Sequence, residues 1–206
     1  RKGKRIVTTA IEHESVLQSV DELEKQGFEV IRLMPDKQGR ITEQQVFDAV
    51  NSDTILVSMM YVNNEVGSIM PVKSIKKAVK RANAPALIHI DCVQAFGKLE
   101  VKPSKLGADL VTVTAHKIHG PKGVGALYLK KGTRILPRVF GGEQEKKLRP
   151  GTEAIPLIAG FGVAADLIPD LKKQSEKIKE INTYAKEGLL SVPGVKINSG
   201  DDASDY

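Results

Sequence analysis

The chain has 206 residues, 41% of them hydrophobic and 27% charged, which is the balance of a soluble globular chain and room for one sizeable domain or a large domain with a small appendage. Its single cysteine, Cys92, excludes an internal disulfide and suits a reducing, cytoplasmic compartment, and no apolar run approaches the roughly 18 residues of a membrane span. The net charge of +6 is spread along the chain and aromatics are 4% with no Trp, too few stacking platforms for a nucleic-acid binder, so small anionic ligands remain the attractive partners.

In chain order, Lys4 to Ala10 is short and β-branched and reads as a buried strand. Ser15 is placed to cap a helix running to about Gln26, with Gly27 as its stop. Phe28 to Leu33 alternates like a strand, 36–40 is a polar turn, and Thr42 caps a short helix to about Val50 with Glu43 and Gln45 in its first turn. A third strand, Thr54 to Met60, runs out into Tyr61-Val62-Asn63-Asn64-Glu65-Val66-Gly67. From about Val72 to Asn83 a helix follows, with Lys73, Lys76, Lys77, Lys80 and Arg81 as its solvated face. Ala86 to Asp91 is a fourth strand, and a Gly- and Pro-bearing connection leads to a fifth, Asp109 to Val113.

Next comes Thr114-Ala115-His116-Lys117-Ile118-His119-Gly120-Pro121-Lys122-Gly123, and then a sixth strand from Val124 to Leu129 that would pair antiparallel with the fifth. Residues 141–152 form a polar, Gly-rich excursion too long for a routine turn. Ile155 to about Leu190 is helical, broken at Pro169, and Gly194 to Ile197 reads as a last strand. The chain opens on Arg1 without an initiator Met and closes on a polar tail, so both ends read as cuts through something larger. Strands alternating with helices predict an α/β fold with a mostly parallel, helix-covered sheet.

The polar residues at the ends of the apolar runs are His13, Asn64, Asp91 with Gln94, and Thr114, His116 and Lys117. In a parallel sheet these ends share one edge, where ligand crevices form. A buried aspartate needs a cationic partner. A partly desolvated lysine becomes nucleophilic, and hydroxyl, imidazole and ammonium donors around a Gly-rich turn suit a phosphate. Nucleophilic lysine, carboxylate and phosphate cup together describe a site for pyridoxal 5'-phosphate (PLP). His116 and His119 are three residues apart with no Cys partner or tight acidic cluster, so no metal site is expected.

Five segments carry a family resemblance: Glu12-His13, Val62 to Gly67, His89 to Leu99, His116 to Tyr128, and Gly141-Gly142 through Arg149-Pro150-Gly151-Thr152. In this order and spacing the chain resembles the cysteine desulfurases, within the class V aminotransferase group of fold-type I PLP enzymes, over nearly all its length. The resemblance implies a large PLP-binding domain over 1–165, incomplete at its N-terminus. A long linking helix and the beginning of a smaller C-terminal domain would occupy 166–206. It also implies roles. Lys117 would bond to the cofactor and later shuttle protons, whereas Lys122 would not. Asp91 would pair with the pyridinium nitrogen, Gln94 would hydrogen-bond the phenolic oxygen, and His13 would stack on the ring and assist acid–base steps. Asn64 would sit beside the ring oxygen and the substrate carboxylate, and Thr114 and His116 would hold the phosphate. Thr152 would reach the phosphate of a neighbouring subunit, making a homodimer with shared sites.

The implied reaction takes sulfur from L-cysteine, releases L-alanine and leaves a persulfide on a catalytic cysteine. A sulfur-acceptor protein would then receive it for iron–sulfur cluster, thio-cofactor or tRNA synthesis. That cysteine and the arginine gripping the substrate carboxylate would lie after Tyr206, and a phosphate-binding Gly-Thr/Ser turn before Arg1, so the 206 residues are expected to be inactive alone. Cys92 reads as packing, and Glu143 stands where the family often has a third glycine. Alternatives sharing the fold are a selenocysteine lyase, another class V aminotransferase, or a non-catalytic scaffold.

Overall fold

In the computed structural model, which describes residues 3–205, runs rich in Val, Ile, Leu, Met and Thr form six strands of one sheet. They are β1 (Arg5–Thr9), β2 (Glu29–Leu33), β3 (Thr54–Met60), β4 (Leu87–Asp91), β5 (Leu110–Thr114) and β6 (Gly125–Leu129), in the order β2-β1-β3-β4-β5-β6. The first five are mutually parallel, and β6 runs antiparallel beside β5, as the close spacing of the two predicts.

The helices are α1 (Glu14–Lys25), α2 (Glu43–Ala49), α3 (Val72–Arg81), α4 (Pro103–Leu106), α5 (Ile155–Asp166) and α6 (Leu171–Leu190). Alternation along the strands turns Val7, Val57, Met59, Ile88, Ile90 and Val111 toward α2, α3 and α4, where they close a core with Val46, Ile75, Ala78 and Leu106. Each Val, Ile, Leu or Met side chain among them stabilises the fold by roughly 1.5–3 kcal/mol. Right-handed crossovers place α1 on the opposite face. There its Val16, Val20 and Leu23 share a trough with Leu56, Ser58, His89 and Thr112.

Local chemistry explains most boundaries. Thr42 and Gln45 form a reciprocal capping box, with Gln45 N–H donating to Thr42 Oγ1 (3.2 Å) and Thr42 N–H to Gln45 Oε1 (2.8 Å). Gly27 stops α1 at a φ of +90°, a conformation that glycine tolerates. Val72, Ser74, Ile75 and Ala78 of α3 are buried while its lysines face outward. The break at Pro169 separates α5 from α6, and Asp170 Oδ1 accepts from Lys172 and Lys173 N–H, both at 3.0 Å.

Two expectations are corrected and one connection gains a helix. The cap of α1 is His13 rather than Ser15, because the ring Nδ1 accepts the Ser15 N–H (3.2 Å) in the place a carboxylate oxygen usually takes. Gly194 to Ile197 is not a strand, since neither edge of the sheet takes it as a partner. The connection before β5 contains α4, started by Pro103 at its first position and ended by Gly107 at φ +70°. Among the described residues no helix is long and apolar enough to cross a membrane.

Candidate functional site

The strand order places β2 and β3 on opposite sides of β1, so the chain reverses its winding between β1 and β3, and a parallel sheet opens its ligand crevice at such a point. A cavity of about 440 Å³ lies at the strand ends there. His13, Asn64, Asp91, Gln94, Thr114, His116 and Lys117 all line it, from the ends of four strands, β1, β3, β4 and β5, or the turns after them. Thr152 does not: it is exposed on the 141–152 excursion.

Each side chain is held in a definite way. Asp91 closes β4 at 9% exposure, with Oδ1 accepting the Val93 N–H at 2.9 Å and the second oxygen without a partner among the described residues. Lys98 Nζ donates to Gln94 Oε1 at 3.4 Å, which leaves the Gln94 amide N–H groups for a ligand. His13 Nδ1 serves as the helix cap, so the neutral ring carries its proton on Nε2. His116 Nδ1 and Thr114 Oγ1 lie 2.9 Å apart, and Thr114 Oγ1 also donates to the Val124 carbonyl (3.3 Å).

Lys117 ends a short 3₁₀ turn (Ala115–Lys117) whose Ala115 is fully buried and whose C-terminal side is drawn in by Ile118 and Gly120 N–H, both donating to Ala115 O. A Cβ at Gly120 would come within 2.9 Å of Ala115 Cβ and 3.1 Å of Ala164 in α5, so only glycine lets α5 pack against the turn. The Lys117 side chain is exposed. Desolvation falls instead on Lys98, where burial and then the charge of Lys117 lower the ammonium's pKa.

Four features escaped the sequence reading. Glu12, 4% exposed, accepts from Thr9 Oγ1 (2.7 Å) and Met60 N–H (3.0 Å), while Oε2 has no partner among the described residues. Burial pushes its carboxyl from 4.5 up to about 7 against those two hydrogen bonds, and the Asp91 charge adds to the rise. Asn63 donates to Ile11 O (3.0 Å) and accepts from Glu65 and Val66 N–H, both at 2.9 Å. His89, two residues before Asp91, bridges Ser58 Oγ (2.8 Å) and Thr112 Oγ1 (3.0 Å), and burial lowers its pKa. Lys98, four residues from Gln94, is the fourth. Only that spacing and the acid beside His13 gave a signal. Cys92 is fully buried, and burial followed by the Asp91 charge pushes its thiol up to about 12.

The donor set fits PLP. An amine without hydrogen bond or ion pair among the described residues can meet an aldehyde carbon, a carboxylate with one free oxygen can meet a ring N–H⁺, and hydroxyl and imidazole groups can meet a phosphate. No group of three or more His, Cys, Asp or Glu among the described residues could hold a metal ion.

Comparison with known proteins agrees in kind. Residues 1–205 match the family described as Aminotransferase class-V. The chain is 44% identical over 199 residues to cysteine desulfurase IscS 1 of Archaeoglobus fulgidus, covering 96% of this chain and 51% of that protein. It is 41% identical over 198 residues to cysteine desulfurase IscS of Methanosarcina thermophila, covering 96% and 48%. A solved NifS-like protein superposes with a TM-score of 0.93 at 36% identity, covering 99% of this chain and 56% of that one. A structure of SspA in complex with cysteine gives 0.85 at 35% identity, covering 99% and 56%. The chain thus spans about half the length of the curated relatives it matches.

Proposed function

The chain belongs to the class-V aminotransferase family, and from that membership we propose that the protein is a PLP-dependent cysteine desulfurase, converting L-cysteine to L-alanine and passing the sulfur to a cysteine thiolate. The observation that carries this reading is the one cavity gathering Lys117, Asp91, Gln94, His13, Asn64, Thr114 and His116. Relatives of about 40% identity carry the name cysteine desulfurase, and one neighbour of known structure holds cysteine.

PLP, when bound, supplies an electron sink for breaking bonds to the amino acid's carbons. The residues would do the rest. Lys117 holds the cofactor covalently and then moves a proton at its Nζ. Asp91 keeps a proton on the ring nitrogen through its free oxygen. Gln94, with Oε1 engaged by Lys98, donates from its amide nitrogen to the ring oxygen. His13 offers Nε2–H from the N-terminus of α1, and Thr114 and His116 hold the phosphate. Cys92 is a poor thiolate, being buried and held up to about 12, so the sulfur-receiving cysteine is another residue.

The reading extends to the assembly. Helix α5 is apolar around its circumference yet has no buried residue, with Ile155 65% and Val163 59% exposed. Thr152 precedes it by three residues. A second copy covering α5 would bring Thr152 to the partner's phosphate, a homodimer with shared sites. Residues 166–206 would begin a smaller domain, and a sulfur-acceptor protein would dock on the cytoplasmic enzyme. The test is full-length protein purified with PLP. With an added dithiol to reduce the persulfide, alanine and sulfide released from L-cysteine in equal amounts support the reading, and a PLP-loaded protein that turns over no L-cysteine overturns it.

A further inference from the structure

β1 and β3 are neighbours at the reversal point, yet their ladder runs only from Arg5↔Thr54 to Val7↔Val57. Beyond it β1 goes on pairing with β2 to Thr9↔Leu33, and β3 with β4 to Met60↔Asp91. The two strands part, and the backbone groups facing the gap need other partners. Glu12 supplies one: its Oε1 accepts the Met60 N–H at 3.0 Å while holding the Thr9 hydroxyl at 2.7 Å. Asn63 supplies the return: its Nδ2 donates to the Ile11 carbonyl at 3.0 Å while its Oδ1 fixes the 63–66 turn. The side chain of residue 12 grips the backbone of residue 60, and the side chain of residue 63 grips the backbone of residue 11. Both are buried, at 4% and 5% exposure. The residues that follow them, His13 and Asn64, both line the candidate site.

We propose that Glu12 and Asn63 form a reciprocal brace across the open end of the β1–β3 crevice, and that they are positioning residues which set His13 and Asn64 relative to Asp91. Tyr61 N–H donates to the Asp91 carbonyl at 2.8 Å, so the braced end of β3 is also tied to the strand that carries the aspartate. The brace touches no reacting atom. Its effect is the width of the site, and it rests on the PLP reading only where cofactor affinity is the readout.

Four variants of the full-length protein test it. Glu12→Gln keeps the Oε1 acceptor, and Glu12→Asp is one methylene too short to reach both donors. Asn63→Asp keeps the turn acceptor but turns an oxygen on the Ile11 carbonyl, and the fourth combines Glu12→Asp with Asn63→Asp. Amide exchange in cofactor-free protein should quicken at 10–13 in Asn63→Asp and at 60–66 in Glu12→Asp, each substitution loosening the segment across the crevice. PLP affinity should fall about tenfold in either Asp variant, the weight of one buried hydrogen bond left unmade. Glu12→Gln should stay within about twofold, and the double variant should lose little more than one single, because the two bonds act as a unit. Exchange that changes only next to the substituted residue, or losses that simply add in the double variant, would overturn the brace. Should unsubstituted protein fail to bind PLP while the cross-crevice exchange pattern holds, the cofactor reading falls and the brace stands.

Discussion

Residues 3–130 and residues 131–205 treat their apolar side chains in opposite ways. Every buried hydrophobic side chain lies between Ile6 and Ile118, whereas α5 and α6 bury none, and Leu136, Phe140, Leu167 and Tyr184 are each at least 74% exposed. The first region is a sheet closed by helices, and rigid strand ends are where a functional side chain is held most closely. Its strand ends carry the seven predicted site residues that line the cavity. The second region offers large apolar surface and one proposed contact, Thr152, that lies outside the strand-end cavity of its own chain. Exposed apolar surface on this scale is what interfaces use, so on the proposed function chemistry falls to the first region and assembly to the second.

The largest expected effect lies in the first region. Lys117→Ala in the full-length protein should lower turnover of L-cysteine by about 10³-fold or more, the usual weight of a covalent-catalysis residue, while Lys122→Ala stays near the unsubstituted rate in the same alanine-release assay. Core truncation comes next. Ile75→Ala should cost about 2–5 kcal/mol in urea unfolding, against about 0.5 kcal/mol or less for Leu167→Ala just after α5. Equal losses would erase the contrast between the regions.

Glu12 makes the contrast pH-dependent. Its folded pKa of about 7 lies above the ordinary 4.5, so the native state binds the extra proton between those values. That contribution is fully present below about 4.5 and is lost as the pH rises through 7, a span worth about 3 kcal/mol. Glu12→Gln imitates the protonated side chain. Its unfolding free energy should therefore lack the Glu12 decline, so that the variant gains steadily on the unsubstituted protein as the pH rises from about 5 to about 8. The smallest effect sharpens the second region. Ile155→Asp should weaken self-association by about tenfold or more in sedimentation, the loss expected of a central apolar contact, with the melting temperature of the monomer unchanged.

What the sequence made legible was local or periodic. Thr42 with Gln45, Gly27, and the alternation of β3 and β4 each act within a few residues, and the strand-end polar residues followed from that alternation. His13 as the cap of α1 was not legible because an imidazole is an unusual acceptor there. Gly194 to Ile197 failed as a strand because a strand needs a neighbour, which a stretch of alternation does not supply. The Glu12–Asn63 brace joins residues about fifty apart through backbone atoms, and only the parting of two strands reveals the need for it. Thr152 was assigned to the cofactor by resemblance and stands outside the cavity, so its assignment rests on a second copy of the chain.

On the proposed function Lys117, and neither Lys98, which is hydrogen-bonded to Gln94, nor Lys122 in the following turn, holds the cofactor. Full-length protein loaded with PLP, reduced with borohydride and digested, should carry one pyridoxyl group, on the peptide containing Lys117. A label found on Lys98 or Lys122, or no label on protein that has bound PLP, would contradict it.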